Sequence, residues 1–341
     1  MIPQEPRVGG RIAQLAGPGR IELIERALPE PHSGEARVRI TATGICGTDV
    51  HGYLGRLDSF PQVLGHDAVG FVDAVGSGVA GNAITVGDRV TIDPTVSCGQ
   101  CASCSSGRPY LCAAGGYLGM TTPGTMAGYI TVPAAQLVPV EDTVSDHDAT
   151  VLEPVAVALH LLERLGASTP AMPVEVIGGG PLGILLAQTL IAHGWKVAIH
   201  EPQDGRRELA RRAGLTVRES PDDGIHEGAA LIVETSAAAA GAATALRLAG
   251  PGSTVAIVGR APFEIPIADI LLRELTVLGV RSGHGHYRAA MELVASGAVR
   301  PSDVLTHRFA FADVAEALRS ASDSPTDVLR AVVDLDHPVA S

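Results

Sequence analysis

The chain has 341 residues, 46% of them hydrophobic, and a formal net charge of −12. This length favours two domains over a single core, and the negative charge argues against nucleic acid or an anionic membrane as a partner. Residues 1–6 lack the basic and apolar segments of a signal peptide, so we expect a cytoplasmic protein with no membrane association.

Residues 1–155 are predicted to form a β-rich first domain. Segment 36–42 alternates apolar and polar residues, as a half-buried strand does, and segments 68–76 and 88–92 have strand-like composition. Glycine and proline separate these segments, which favours tight turns between strands.

Four of the five cysteines lie in the aperiodic segment 97–113, within this first domain. Cys98, Cys101, Cys104 and Cys112 have the spacing C-x2-C-x2-C-x7-C. Thiolates at such spacing can surround one Zn²⁺ tetrahedrally, and reduced cysteines in a cytoplasmic protein favour metal over disulfides. We predict a closed, structural zinc site.

The remaining cysteine, Cys46, and His66 are candidate ligands of a second, catalytic zinc. Glu153, at the junction of the two predicted domains, is a candidate third ligand, and the fourth position would hold water or a substrate oxygen. Taken singly, a cysteine or a histidine is more often structural, and Glu153 is equally well explained as a solvated carboxylate at a helix start, so the prediction depends on their combination.

Two further residues, Thr48 and His51, closely follow Cys46 in the sequence. Zinc lowers the pKa of an alcohol, so the alcohol's proton needs a way out of a dry site. The Thr48 hydroxyl could take it and pass it, through cofactor ribose hydroxyls, to His51. On their own, the two residues are better explained as a turn hydroxyl and a surface imidazole.

Residues 156–293 show the alternation of strands and helices that is typical of a doubly wound parallel sheet. Residues 294–341, with a predicted helix near 314–320 and a strand at 330–335, are expected to return to the first domain. The predicted strands of the second domain are 173–177, 195–200, 230–233, 253–258 and 275–280, and the predicted helices are 155–165, 184–193 and 237–248.

The glycine pattern Gly178-x-Gly180-x-x-Gly183 follows the first of these strands and opens a helix, as in dinucleotide-binding folds. Glu201, at the end of the next strand, can accept hydrogen bonds from ribose hydroxyls and would repel a 2′-phosphate, which favours NAD over NADP. Arg206 and Arg207 complicate this preference, because a nearby arginine can bind the 2′-phosphate of NADP.

Together these motifs resemble the zinc-dependent medium-chain dehydrogenase/reductase superfamily over nearly the whole chain. The resemblance is closest to its polyol and L-threonine 3-dehydrogenase branch. The segments that carry it are 44–51, 65–67, 87–90, 152–154 and 201–210, with the cysteine segment and the glycine loop.

The resemblance implies a GroES-like β domain joined to a Rossmann domain, two Zn²⁺ per chain, and a homodimer or homotetramer. Cys46, His66 and Glu153 would bind catalytic zinc, and Thr48 and His51 would relay the proton. Asp67 stands where the family most often has glutamate, and its shorter side chain suggests a role behind the ligands or as an alternate ligand. The implied cofactor contacts are Gly178, Gly180, Pro181, Leu182, Gly183, Glu201, Arg206, Val258 and Arg281.

The sequence therefore predicts an NAD-dependent zinc alcohol dehydrogenase that acts on a secondary alcohol, a polyol or a hydroxylated biosynthetic intermediate. Residues 55–61 and 117–120 are expected to line the substrate pocket. The alternatives are L-threonine 3-dehydrogenase, a zinc-independent quinone or enoyl reductase of the same fold, and a non-catalytic dinucleotide-binding protein.

Overall fold

The computed structural model describes residues 5–57, 62–79, 84–166, 173–219, 231–260, 264–323 and 327–335. Among these residues, no helix has the length and apolar character needed to cross a membrane. The chain divides into two compact units, Met1–Glu153 with Leu305–Ser341, and Pro154–Val304. The corresponding boundaries predicted from the sequence are 155/156 and 293/294.

The first passage of the chain through unit 1 is rich in short strands. Its elements are β1 (Arg7–Gly17), β2 (Arg20–Arg26), β3 (Glu35–Gly44), α1 (Gly47–Tyr53), β4 (Asp67–Val75), β5 (Arg89–Ile92), β6 (Thr95–Val96), α2 (Ala102–Ser105), β7 (Gly116–Tyr117), β8 (Ala127–Pro133), β9 (Leu137–Pro139) and α3 (Asp146–Ala149).

Unit 2 alternates strands and helices. Its elements are α4 (Leu152–Leu165), which begins two residues before the unit boundary, β10 (Pro173–Ile177), α5 (Pro181–Ala192), β11 (Lys196–His200), α6 (Asp204–Arg212), β12 (Thr216–Arg218), β13 (Leu231–Glu234), α7 (Ala239–Leu248), β14 (Thr254–Ile257), α8 (Ile267–Leu272), β15 (Thr276–Gly279) and α9 (Tyr287–Ala295). The chain then returns to unit 1 through β16 (Leu305–Ala310), α10 (Val314–Asp323) and β17 (Arg330–Asp334).

The main sheet of unit 1 has nine strands in the described residues, in the order β2-β1-β8-β3-β4-β5-β9, with β17 added to β3 and β16 added to β17. Strand β3 contributes Val38 and Ile40 to the core, while Arg37 and Arg39 alternate with them toward a more exposed face. Because β17 pairs antiparallel with the end of β3, the last strand lies beside the loop that carries Cys46.

The four-cysteine segment lies between the two short strands β6 and β7. These strands pair antiparallel, Thr95 with Tyr117 and Val96 with Gly116. This pairing holds the two ends of the segment together, so that Cys98 to Cys112 form a closed loop, called the lobe below.

Over the part of unit 2 that the structure describes, the sheet has six parallel strands in the order β12-β11-β10-β13-β14-β15. Counted from the first strand of the unit, this is the order 3-2-1-4-5-6 of a dinucleotide-binding fold. The strand order reverses between β10 and β13, and ligands of such sheets bind at the carboxyl ends of the strands next to this reversal. The predicted fold class, a GroES-like β domain with a Rossmann sheet, is confirmed.

Several elements were not predicted from the sequence. In unit 1 these include β1, β2 and β8; β2 is mostly exposed and carries charged residues at its surface, so it lacks an apolar pattern. Helix α6 was missed for the same reason, since Ala210 is its one buried residue.

A buried charge cluster ties three strands of the unit 2 sheet together. Glu175 of β10 bonds the imidazole Nε2 of His200 at 2.7 Å and the Nε of Arg218 at 3.1 Å. Burial raises the pKa of Glu175, but the hydrogen bonds and charges of His200 and Arg218 outweigh burial and lower it below its usual value of 4.5.

This lowered pKa predicts a specific pH dependence of stability. Glu175→Gln should lower the free energy of unfolding by about 1–3 kcal/mol at neutral pH, because Arg218 and His200 lose a buried charged partner. The wild-type advantage is complete above pH 4.5 and disappears as the pH falls through the lower pKa of the folded state. Urea unfolding from pH 3 to 7 measures it.

Glu208→Gln is the matched control, since Glu208 pairs with Arg212 on the exposed face of α6. That variant should change unfolding by a few tenths of a kcal/mol at most. An equal loss for both variants, or a Glu175→Gln loss that persists at pH 3, would contradict this role of the cluster.

Candidate functional site

The four sulfurs of the lobe lie at the separations of a tetrahedral thiolate site. Neighbouring Sγ atoms are 4.0 Å apart for Cys98 and Cys104, 3.5 Å for Cys101 and Cys104, 3.9 Å for Cys101 and Cys112, and 3.6 Å for Cys98 and Cys112. Zinc–sulfur bonds of about 2.3 Å place tetrahedral sulfurs about 3.8 Å apart, so the donor set fits Zn²⁺.

The ionisation of these thiols points the same way. Backbone N–H groups of Gln100 and Cys101 lower the pKa of Cys98 to about 6, whereas burial and the neighbouring thiols raise the pKa of Cys104 to about 11. Four adjacent sulfurs therefore resist full deprotonation on their own. A divalent cation would hold all four as thiolates.

Helix α1 positions Cys46, the cysteine that lies outside the four-cysteine segment. Cys46 precedes the helix as its N-cap residue, and its backbone N–H donates to the Asp49 carboxylate at 2.8 Å. The other Asp49 oxygen accepts from the backbone N–H of Gly65 at 2.8 Å, so one buried carboxylate fixes both the Cys46 loop and the loop before His66. Sequence reasoning named the motif around Asp49 but gave this residue no role.

Cys46, His66 and Asp67 each offer one metal-ligating atom, and these atoms lie within 4.8 Å of one another. His66 and Asp67 are both 3% exposed. Two of their polar atoms, His66 Nδ1 and Asp67 Oδ1, are buried without a hydrogen-bond partner among the described residues. Buried polar atoms are rarely left unsatisfied, so this group fits a bound cation.

Glu153, the predicted third ligand, is not one of these three residues, whereas Asp67, predicted to lie behind the ligands or to act as an alternate ligand, is. The Glu153 carboxylate accepts a hydrogen bond of 2.5 Å from the Tyr117 hydroxyl, and the Tyr117 ring packs edge-on to His66 with 5.6 Å between centroids. Burial, and then the charge of Asp67, raise the pKa of Glu153 to about 7. Glu153 thus lies beside the three-residue group as a half-buried, readily protonated carboxyl.

Arg330, on the returning strand β17, forms a buried ion pair with Asp67 and donates to the backbone oxygen of Thr150 at 2.8 Å. Burial lowers the pKa of His66, but Asp67 and Asp49 outweigh burial and raise it well above its usual value. The site holds three carboxyl groups and a thiol against the Arg330 guanidinium and the His66 imidazole, and a divalent cation would take the place of the protons that these groups otherwise hold.

Thr48 and His51 both lie on α1, three residues apart and therefore on one side of the helix. The Thr48 hydroxyl oxygen is 3.8 Å from the Cys46 sulfur. The helix thus carries a hydroxyl next to the candidate metal group and an imidazole one turn further on. Of the predicted pocket residues, Tyr117 adjoins the group, while 58–61 lie outside the described residues.

The glycine loop of unit 2 has the shape of a phosphate cradle. Gly178 has a φ of +108°, and a Cβ on Gly183 would lie 2.0 Å from the Gly178 oxygen, so both positions require glycine. At Gly180, in contrast, an added Cβ would meet no atom closer than Arg206 Nη1 at 3.9 Å. That open space, at the start of α5, is where a pyrophosphate needs close approach to the backbone, so the loop fits a dinucleotide.

Glu201 is buried directly against this loop. One carboxylate oxygen accepts from the backbone N–H of Gly179 at 2.8 Å, and the other accepts from that of Gln203 at 2.9 Å. Each oxygen keeps a further lone pair that a ribose hydroxyl could use.

The remaining predicted cofactor residues are spread over unit 2. Arg206 is half-buried on α6. At the end of β14, the backbone N–H of Val258 donates to the backbone oxygen of Glu234 at 3.0 Å. Arg281 follows β15 and is exposed. Pro181 and Leu182 form the first turn of α5. Strands β10 and β14 are parallel strands of one sheet. Leu182 follows β10 and Val258 follows β14, so both residues lie beyond the carboxyl ends of the strands.

Comparison with known families assigns both units. Residues 32–142 match the alcohol dehydrogenase GroES-like domain, and residues 181–296 match the zinc-binding dehydrogenase family.

A curated relative, the probable D-xylulose reductase A of Neosartorya fischeri, is 32% identical over 89% of this chain and 91% of its own length. Two solved structures are also similar. An alcohol dehydrogenase (rspB) of Escherichia coli CFT073, in complex with NADH, is 28% identical with a TM-score of 0.86, covering 97% of this chain and 100% of its own. A zinc-binding dehydrogenase of Sinorhizobium meliloti bound to NADP is 30% identical with a TM-score of 0.84, covering 97% and 100%.

The two carboxylates near His66 make a clear prediction about zinc. Asp67→Asn should weaken zinc binding at the Cys46 site by at least about tenfold, because a ligand loss costs no less than the loss of a supporting residue. Glu153→Gln should retain the metal, since its carboxylate bonds Tyr117. Metal analysis after dialysis against a weak chelator measures both, with the four-cysteine zinc as internal reference.

Zinc lost from Glu153→Gln and kept in Asp67→Asn would contradict this ligand group. That result would instead support Cys46, His66 and Glu153 as the ligands.

Proposed function

Because the chain belongs to the zinc-containing medium-chain alcohol dehydrogenase superfamily, we propose that it oxidises a secondary alcohol of a polyol, with NAD as the hydride acceptor. The protein is a zinc-dependent dehydrogenase that acts on CH–OH groups. The observation that carries the proposal is the group of Cys46, His66 and Asp67, with its unsatisfied His66 Nδ1 and Asp67 Oδ1.

The donor set of this group is that of a catalytic rather than a structural zinc. Three ligands of mixed sulfur, nitrogen and oxygen character leave a fourth position for substrate, whereas the four-cysteine lobe offers none. When bound, zinc would lower the pKa of an alcohol, and NAD would accept its hydride.

We assign the removal of the alcohol's hydroxyl proton to residues of the chain. We assign the Thr48 hydroxyl to accept it from the alcohol, because Thr48 adjoins the Cys46 sulfur. His51, one turn along α1, would receive it and release it to solvent, since an imidazole exchanges protons readily near neutral pH. Asp49 and Arg330 do not touch the substrate in this scheme; they position Cys46, His66 and Asp67.

A polyol is favoured among secondary alcohols by two observations. The relative from Neosartorya fischeri is named a D-xylulose reductase, and the carboxyl of Glu153 with the hydroxyl of Tyr117 provides polar groups beside the candidate metal. A substrate with several hydroxyl groups could use such groups, whereas a purely aliphatic alcohol could not.

The proposed activity predicts the outcome of a direct assay. Zinc-loaded protein should reduce NAD with at least one member of a panel of xylitol, sorbitol, butanediol, inositol and L-threonine. Cys46→Ser should lose at least about a hundredfold in rate, since removal of one essential electrostatic group has an effect of this size. NADH absorbance and circular dichroism measure activity and folding.

Turnover of L-threonine alone would place the chain with L-threonine 3-dehydrogenase instead of the polyol enzymes. Full activity in a folded Cys46→Ser variant would overturn the zinc mechanism. A folded, zinc-loaded protein that binds NAD but turns over nothing would favour the non-catalytic alternative.

NAD is the cofactor we infer, in preference to NADP. The buried Glu201 carboxylate lies directly against the glycine loop, where it can accept hydrogen bonds from ribose hydroxyls and repel a 2′-phosphate. Arg207, which could serve a phosphate, donates to the Glu201 and Pro202 backbone oxygens and is paired with Asp204. Arg207 thus already bonds residues 201–204, which argues against its use for a 2′-phosphate.

Glu201→Gln should therefore reduce the preference for NAD over NADP by about tenfold in kcat/KM, because it removes the repelling charge while it keeps one acceptor oxygen. Steady-state kinetics with both cofactors measure this ratio. Glu208→Gln, on the exposed face of α6, is the control and should leave the ratio unchanged. An unchanged ratio in Glu201→Gln would remove Glu201 from the ribose role.

We also propose that two copies associate through the outer edge of the unit 2 sheet. Strand β15 is the last strand in the described order, so one of its edges has no partner strand there. Next to it, α8 exposes Ile267, Leu271 and Leu272 at 79%, 75% and 80%. An apolar face beside an open strand edge is typical of a subunit interface.

Leu272→Asp should accordingly shift the protein toward monomer, because a desolvated carboxylate at an apolar interface costs several kcal/mol. Light scattering after size-exclusion chromatography measures the mass. Val86→Asp, at another exposed apolar position, in unit 1, is the control and should not change the mass. A wild-type monomer, or an unchanged oligomer in Leu272→Asp, would rule out this interface.

A further inference from the structure

A second cluster of metal-ligating side chains lies within unit 2, apart from the glycine loop. His160 and Glu163 are one turn apart on α4, and His286 is the N-cap residue of α9. The Glu163 carboxylate oxygen Oε2 lies 3.0 Å from His160 Nδ1 and 3.1 Å from His286 Nε2. The two imidazole rings lie with 5.7 Å between centroids and are tilted by 44° to each other.

We propose that His160, Glu163 and His286 bind a divalent transition-metal ion of the zinc class, in addition to the two zinc sites of unit 1. One ligating atom from each residue lies within 4.8 Å of the other two. Two imidazoles and one carboxylate are a ligand set that zinc prefers, with water in the remaining position.

The distances require little rearrangement. Zinc bonds to nitrogen and oxygen are about 2.0–2.2 Å, so tetrahedral ligand atoms are separated by about 3.3–3.6 Å. The present contacts of 3.0 and 3.1 Å would need to open by a few tenths of an ångström. Glu163 is 63% exposed and its side chain can make this adjustment from the solvent side, which also gives an ion a path of entry.

The protonation states suit a metal as well. Burial lowers the pKa of His160, which keeps its imidazole neutral, the form that binds metal. Hydrogen bonds from His286 and His160 lower the pKa of Glu163, which keeps it ionised. Metal binding would replace the two hydrogen bonds to one carboxylate oxygen by three ligand bonds.

A metal here would join parts of the chain that are far apart in sequence. Glu163 and His286 are 123 residues apart, and the ion would link α4 to the start of α9. Because such an ion binds the folded unit and not the separated segments, it would stabilise unit 2. The site is therefore tested by the metal content and the stability of the chain, and its test does not depend on catalysis.

The test uses the full chain with both unit 1 zinc sites filled, titrated with ZnCl₂ and analysed for metal content. Wild type should bind a third zinc per chain, and its melting temperature should rise with that ion. His286→Asn and Glu163→Gln, both at solvent-accessible positions, should each weaken the third zinc by at least about tenfold and abolish the rise in melting temperature. Two variants are used so that misfolding of one leaves a second measurement.

His193→Asn is the matched control, because His193 lies in the same unit on the end of α5 and bonds the Thr189 oxygen. It should retain three zinc ions and the same melting behaviour. Two zinc ions in folded wild type at saturation, or a third ion that persists in both His286→Asn and Glu163→Gln, would overturn the proposal. The first result would leave a hydrogen-bonded cluster, and the second would place the ion elsewhere.

Discussion

The buried ion pair between Asp67 and Arg330 is the interaction on which the candidate active site of unit 1 depends. Arg330 arrives on β17, the last strand of the chain, and its guanidinium also bonds the Thr150 oxygen. The pair therefore holds the segment after His66, the segment before Glu153 and the returning strand in one place. A buried charge pair of this kind is costly to break, because either partner alone would be left uncompensated.

The pair leaves the surrounding charge unbalanced. Besides the pair, the site contains the Asp49 and Glu153 carboxyls and the Cys46 thiol. The remaining cationic group is the His66 imidazole, whose pKa is raised well above its usual value. Without a metal, such a site would take up protons; with a divalent cation, its carboxylates and thiol could all ionise. The same electrostatics that make this region costly as a protein core make it suitable as a zinc site.

The two candidate metal sites of unit 1 are built by different means. The cysteine lobe is a loop between the paired strands β6 and β7, with ligands supplied within fifteen residues of one another. The Cys46 site draws its parts from α1, β4, α4 and β17, so it exists only once the unit is folded. We therefore interpret the lobe as locally organised by its ion and the Cys46 site as organised by the fold.

Much of this organisation could be predicted from the sequence, where local pattern decides it. The alternation of Val38 and Ile40 with arginines predicts β3, the cysteine spacing predicts the lobe, and Gly178-x-Gly180-x-x-Gly183 predicts the phosphate loop. Arg330 could not be found in this way, because it is 263 residues from Asp67 and occurs in an ordinary strand pattern.

The choice between Asp67 and Glu153 likewise depended on three-dimensional distance. Spacing could nominate both carboxylates, but it could not show that Tyr117 engages Glu153 while one oxygen of Asp67 lacks a partner. Similarly, His160 and His286 have no common motif, and His286 approaches Glu163 because the fold brings the N-cap of α9 to α4. Long-range pairing of charged and polar side chains is the information that sequence pattern leaves out.

The measurement that tests the central claim most directly is an anomalous difference map at the zinc absorption edge, from crystals of the zinc-loaded protein. The account predicts one peak within the four cysteine sulfurs and a second bonded to Cys46, His66 and Asp67. A peak at the cysteines with none beside His66, in a protein that still oxidises alcohols, would contradict it.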